Sequence, residues 1–317
     1  MPGFCVLGSG SSGNCSAIRA PDPSPAAPPG RFHLVLIDLG LGPRTLAKRL
    51  EHAGTTLAEV GAVCVTHFDH DHFRPHWPNL LADLGVAVHC HRWHAPKLAK
   101  MPGGDRLASL GLIRTFDDKP FHPLAELPGL RAVPIACQHD RQGVSAFRFD
   151  LAPPASRPSQ RLRLGYATDL GHVPPALLDA FTQGPPLDLL AIEANYDVRM
   201  TMNSPRPSFV NRRNLSDSGH LSNQQSFDAV RAVLDRAAAG PHRVVLLHRS
   251  QQCNHPVKLR RVFHEEPRLR RRVVLAEPRT RTAWLRAGAR TTPPQPGLFT
   301  RAVHAQTGRA EPTHAIR

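Results

Sequence analysis

A run of seven residues, Thr66-His67-Phe68-Asp69-His70-Asp71-His72, constrains this chain more than any other feature. It follows directly on Ala62-Val63-Cys64-Val65, a short apolar stretch that reads as a buried strand. Three imidazoles and two carboxylates at the end of such a strand would be expensive to pack, because a buried charge without a partner costs several kcal/mol, on the order of 3–5 when one partner of a pair is missing. A bound cation is therefore expected there. Further candidate ligands lie just beyond other apolar stretches, at His139-Asp140, Asp169, His220 and His248. Imidazole nitrogen and carboxylate oxygen suit borderline and hard dications, and strand ends can converge on one edge of a sheet. Alternate side chains of an extended backbone share a face, so His67, Asp69 and Asp71 are expected to point together, with His72 joining them if the chain turns. Of the 19 histidines, His33, His89, His91, His94, His172 and His242 read as ordinary core or surface residues.

Strand and helix patterns alternate around this run, which argues for sheets flanked by helices. Phe4–Leu7 is a strand entering the glycine-serine turn 8–14, and the Pro-rich piece 21–30 is a surface insert, since prolines cannot donate to a sheet. A strand at 32–39 leads to a helix at 43–53. Further strands are expected at 86–90, 130–135, 145–149, 163–167, 187–193, 243–247 and 273–275. The clearest helix starts at Ser222, where Ser-Asn-Gln-Gln forms a capping box and Phe227, Val230, Val233 and Leu234 keep helical spacing. No internal repeat recurs at a fixed period. At 317 residues the chain suits one αβ domain, 1–286, followed by a basic tail, 287–317, rich in Arg, Thr, Pro and His and expected to be disordered.

The formal charge of +15 points to a polyanionic partner, with Arg-rich composition and simple solvation as the alternative. The six cysteines form no CxxC pair and sit among apolar or small neighbours, as reduced core thiols of a cytoplasmic protein would. No apolar run approaches the ~18–20 residues needed to cross a bilayer, and the N-terminus lacks a charged segment followed by an apolar one, so no membrane association is expected.

The stretch His67, Asp69, Asp71, His72 resembles the HxHxDH signature of the metallo-β-lactamase superfamily. The opening LGSGSSGNC, LIDLG at Leu36 to Gly40 and YATDLG at Tyr166 to Gly171 resemble hydrolase members. AIEANYD at Ala191 to Asp197, GHLSN at Gly219 to Asn223 and LLHRSQQCN at Leu246 to Asn254 narrow the likeness to the YycJ-type branch, bacterial proteins associated with DNA exonuclease activity. The resemblance covers about residues 4 to 275.

It implies an α/β fold, the αββα sandwich of two mixed β-sheets flanked by helices, and two divalent metal ions. His67, residue 69 and His139 would hold the first ion, Asp71, His72 and His248 the second, with Asp169 bridging. Asp38 would hold a ligand in orientation, or be a turn-forming residue. The family's second histidine is Asp69 here. His70 is the alternative ligand, though neighbours on extended chain face opposite ways. The added carboxylate shifts preference from zinc toward manganese or iron.

An activated hydroxide is the implied nucleophile, with Asp71 orienting it or taking its proton. His220 resembles the histidine of tRNA-maturing endonucleases that assists a departing oxygen, or else caps the following helix. Ser11, Ser12 and Asn14 in the glycine-rich turn, and Arg249, are possible phosphate contacts. Arg206, Arg212 and Arg213 offer a positive approach to a nucleic-acid backbone. The function expected is a phosphodiesterase or nuclease, DNA exonuclease-like. A hydrolase of small esters, thioesters, lactones or cyclic phosphodiesters, a catalytically weakened nucleic-acid-binding module and a redox di-iron role remain open beside it.

Overall fold

The computed structural model describes residues 1–24, 26–28, 30–139, 142–152 and 160–287. Two six-stranded sheets form its centre. The first runs in sequence order through β1 (Gly3–Gly8), β2 (Cys15–Pro21), β3 (Phe32–Ile37), β4 (Val60–Cys64), β5 (Ala87–His91) and β6 (Ile113–Phe116). The second runs through β7 (Leu130–Cys137), β8 (Val144–Leu151), β9 (Leu162–Ala167), β10 (Leu189–Glu193), β11 (Arg243–Leu247) and β12 (Val273–Leu275).

In each sheet the first two pairings are antiparallel and the next three parallel. The chain thus repeats one topology twice without a fixed sequence period. Connections of unequal length between matching strands hide any fixed period. Matching positions still show it: Asp38-Leu39-Gly40 follows β3 and Asp169-Leu170-Gly171 follows β9. Both glycines are required by close approach. A Cβ on Gly40 would collide with the carbonyl of Asp71, and one on Gly171 with that of Asp217.

The sheets face each other through a shared core in which Phe4, Ile18, Val35 and Ile37 meet Phe147, Phe149, Tyr166 and Val245. Helices cover the outer faces, giving the expected αββα layers. On the first sheet lie α1 (Pro43–His52), α2 (Trp77–Leu84), α3 (Ala95–Ala99) and α4 (Gly104–Ser109), with Leu46, Leu50, Trp77, Leu81, Leu98 and Leu107 turned inward. After β9 the chain forms α5 (Pro175–Thr182), α6 (Val198–Met202), α7 (Ser208–Asn214), α8 (Asn223–Arg236) and α9 (Pro256–His264). Leu177, Phe181, Phe227, Val230, Leu259 and Phe263 cover the second sheet. Strands buried on both faces read as continuous apolar runs for this reason.

The capping box at Ser222 forms as expected, with its side chain accepting from Gln225 N and Gln225 reaching back. The segment after β12 returns to the first sheet, where Phe4 and Leu285 exchange backbone hydrogen bonds of 2.8 Å. From residue 288 onward the basic tail lies outside the described residues. No helix among the described residues is long and apolar enough to cross a membrane.

All six cysteines are free and buried, and burial pushes the thiols of Cys90 and Cys137 up to about 12. Thiolate is the reactive form. Native protein is therefore expected to leave Ellman's reagent unreacted over minutes, with all six thiols titrating after denaturation. Rapid reaction of one or more thiols in the native state would contradict this packing.

Candidate metal centre

The edge at which these strands end carries unusual backbone. Asp38 (φ 62) follows β3, Asp169 (φ 55) follows β9 and His248 (φ 53) follows β11. These are the non-glycine residues with positive φ among those described. Left-handed backbone costs an L-residue roughly 1–2 kcal/mol, and it persists where surroundings over-determine it, commonly at functional sites.

Asp38 is completely buried. Its Oδ2 accepts from His72 Nδ1 at 2.8 Å, and Oδ1 accepts from the Thr66 backbone N–H at 2.8 Å. The Thr66 hydroxyl lies 2.9 Å from Asp38 Oδ2 and 3.0 Å from His67 Nδ1. One carboxylate thereby fixes two rings, His72 directly and His67 through Thr66, with each Nε2 left for another partner. His139 is set the same way, its Nδ1 donating to the Gly219 carbonyl at 2.8 Å.

Donor atoms of His67, His139 and Asp169 lie within 4.8 Å of one another, and so do those of Asp71, His72 and His248. Asp169 is itself a member of the first group and also meets the second, its Oδ2 lying 2.9 Å from His72 Nε2 and its Oδ1 3.1 Å from His248 Nδ1. Asp69 Oδ2 is 3.8 Å from His67 Nε2 and its side chain is 37% exposed, while His70 is an exposed residue. The run does not stay extended beyond Asp69. Asp69 C=O accepts from the N–H groups of both His72 and Phe73, so the run coils into a turn after residue 69, and this turn brings Asp71 and His72 into one group.

The donor set fits divalent cations. His67 Nε2 is buried with no hydrogen-bond partner, an acceptor that a cation would satisfy. Burial, with His72 beside it, holds the His67 pKa well below the usual imidazole range, leaving the neutral ring a ligand requires. Burial opposes charge on His248, yet Asp169, Asp71 and Glu193 carry its pKa up to about 10. Burial alone would raise the Asp169 pKa; His248 and His72 hold it well below the carboxylate range instead. Carboxylates and imidazoles gathered this closely call for positive charge, which a dication supplies.

Glu193, the last residue of β10, was not singled out from the sequence as a site residue. It is fully buried, its Oε1 lying 2.8 Å from His220 Nδ1 and 3.2 Å from His248 Nδ1. Its Oε2 accepts from the Leu170 and Leu221 N–H groups at 2.8 and 3.3 Å. With both oxygens bonded, it acts as an acceptor that orients the two rings. The signal lay in its position: a carboxylate closing the apolar strand Leu189–Ile192 needs buried donors. Asn195 and Ser9 complete the support of His248, the amide donating to its carbonyl at 2.8 Å and the hydroxyl accepting its N–H at 2.7 Å.

Among the expected phosphate contacts, Ser11 and Ser12 are exposed at the tip of the glycine-rich turn. Asn14 is buried, with its Nδ2 2.9 Å from His72 Nε2 and 3.4 Å from Asp71 Oδ2. The N–H groups of Ser9, Gly10, Gly13 and Asn14 bond within the protein, so this turn braces the run at 67–72. Arg249 is directed to Glu277, its Nη2 donating to Oε2 at 2.7 Å. Arg212 and Arg213 stand exposed on α7, and Arg206 donates to Gln252 Oε1 at 2.7 Å. Among the histidines read as ordinary, His89 bonds the Pro123 carbonyl at 2.8 Å and His33 pairs with Asp22 at 3.2 Å.

The family model described as the beta-lactamase superfamily domain matches residues 33–249. The chain is similar to exodeoxyribonuclease YycJ of Bacillus anthracis, 24% identical over 257 residues that cover 79% of this chain and 83% of that protein. It is similar to exodeoxyribonuclease WalJ of Streptococcus pneumoniae serotype 2 at 23% identity, covering 79% and 82%. Among solved structures it is like the metallo-beta-lactamase fold protein YhfI from Bacillus subtilis, with a TM-score of 0.57 and 14% identity over 89% of this chain and 99% of that one. A long-form RNase Z from yeast gives a TM-score of 0.59 at 10% identity, covering 89% of this chain and 42% of that one. The structural likenesses show a shared fold.

Proposed function

The chain belongs to the beta-lactamase superfamily, and from that premise we propose that it is a metal-dependent phosphodiesterase that cleaves nucleic acid, with DNA the favoured substrate. Residues 1–286 are the hydrolase domain in this reading. His67, Asp69 and His139 hold one cation, Asp71, His72 and His248 the other, and Asp169 serves both. Zinc is the default for the family's ligand set, with manganese or iron favoured by the carboxylate at 69. When bound, such a pair lowers the pKa of water toward ~7 and neutralises charge on the attacked centre.

The remaining chemistry belongs to side chains. Asp71 is a quarter exposed, so solvent reaches a carboxylate able to orient the attacking water or accept its proton. The observation that carries the diester reading is the His220–Glu193 pair. Glu193 ties down Nδ1 of His220, while the imidazole keeps 19% of its surface open. Its Nε2 is then the atom from which a proton can reach a departing alkoxide, a group far more in need of one than the leaving groups of activated esters. The relatives named as exodeoxyribonucleases and the net charge of +15 support a nucleic-acid substrate.

Metal analysis followed by cleavage assays on single- and double-stranded DNA and RNA tests the reading. Replacing His220 with Ala is expected to slow DNA cleavage by about 10²–10⁴-fold. The loss should be much smaller for bis(p-nitrophenyl) phosphate, whose leaving group departs unaided. Equal losses on both would remove the proton-donor role, and salt-sensitive DNA binding without cleavage would leave a binding module in place of an enzyme.

A further inference from the structure

Where the segments leading to His139, Asp169 and His220 meet, the surface opens into a cleft of about 870 Å³, whose lining includes Trp93, Gln138, Gln142, Gly143, His172 and Ser218. Three of these residues tie it to the centre. Gln138 precedes His139, His172 lies three residues beyond Asp169, and Ser218 leads through Gly219, whose carbonyl orients His139, into His220. Anything lodged in the cleft therefore lies against the segments that carry His139, Asp169 and His220.

Trp93 is the unusual member. Its side chain is large and apolar, yet 43% of the residue's surface is open to solvent. It is nevertheless held firmly. The imidazole of His91 stacks against it with ring centroids 3.3 Å apart, and Phe116 meets that imidazole edge-on at 5.6 Å. His94 packs against the indole at 6.0 Å and against Phe68, the neighbour of His67, at 5.6 Å. Gly143 also approaches the indole, and a Cβ there would be 3.6 Å from it. A rigid aromatic with one face backed by another ring and an open remainder matches what single-stranded nucleic acid binds, because every base offers a π-face and stacks without regard to sequence.

We propose that this cleft receives the nucleotide adjoining the scissile phosphodiester of a single DNA strand, with its base stacked on Trp93 and its polar edges met by the amides of Gln138 and Gln142. The assignment rests on the phosphodiesterase reading above and names the part of the substrate that the site grips. Its volume suits one nucleotide, falling within the range of ~300–1,000 Å³ usual for ligand sites. Trp93 acts here as a binding residue and takes no part in bond breaking.

The test removes the base and the indole separately. Single-stranded oligonucleotides carrying an abasic site at successive positions are hydrolysed by the metal-loaded wild type, Trp93→Ala and Trp93→Phe. In the wild type one position is expected to raise KM about tenfold when its base is missing, as stacking on an aromatic predicts. Trp93→Ala should show that raised KM on intact DNA and no further penalty at that position, while Trp93→Phe should keep most of the wild-type profile. Quenching of tryptophan emission by an intact oligonucleotide, lost in Trp93→Phe, is a second readout, since Trp77 is 1% exposed and Trp284, covered by Arg19 and bonded to the Ala53 carbonyl, does not line the cleft. An abasic profile unchanged in Trp93→Ala, or a wild type indifferent to every base, overturns the cleft assignment while leaving the nuclease standing. A wild type that hydrolyses none of the oligonucleotides defeats the nuclease reading and the cleft assignment with it.

Discussion

Asp169→Asn is expected to reduce DNA hydrolysis by more than about 100-fold, the upper end of what removing a mere outer partner of a metal ligand costs. Asp169 belongs to the group with His67 and His139 and also meets the other group, at 2.9 Å from His72 Nε2 and 3.1 Å from His248 Nδ1. Asparagine is the informative replacement because it tolerates the left-handed backbone at this position and keeps the shape of the side chain. Alanine would add backbone strain to the loss of charge and confuse the two. Metal content measured on the purified variant should fall below two ions per chain. Full metal content together with wild-type turnover would remove Asp169 from the centre and with it the two-cation reading.

Stripping the cations should lower the melting temperature on the order of 10 °C, taking roughly 4 kcal/mol for a site held at a thousandfold its Kd and a few degrees per kcal/mol. The proposed ligands come from both sheets: His67, Asp71 and His72 follow β4, whereas His139, Asp169 and His248 follow β7, β9 and β11. Cations held by all of them cross-link the sandwich at one edge. They would also offset the repulsion that Asp169 exerts on Asp71 and Glu193. Thermal melts of chelated protein, repeated after adding zinc, manganese or iron, check this and rank the three metals by the stability each restores. Identical melts with and without metal would mean that no cation bridges the sheets.

Much of this was legible in the residues. Strands 243–247 and 273–275 lie where their apolar runs place them, and the helix after Ser222 starts at its capping box. Other elements were hidden for physical reasons. β2, Cys-Ser-Ala-Ile-Arg-Ala-Pro, mixes small and polar residues and ends in proline, so it carries weak strand signals although it lies between β1 and β3. α5 and α9 each open on a proline, a favoured first helical residue that also reads as a loop marker. Within the site, the ligand types and the buried strands before them were readable. The turn after Asp69 and the role of Glu193 were not, because both depend on partners that only the folded chain brings close.

The paired Asp-Leu-Gly turns carry a last consequence. The same local geometry serves two employments: Asp38 faces inward to steady imidazoles, whereas Asp169 touches both donor groups. One turn belongs to each half of the polypeptide. A chain emerging from the ribosome has completed its first six strands before Asp169 or His248 exists, and neither cluster can then be assembled in full. Any hydrolytic power therefore stays latent until synthesis reaches the final strands.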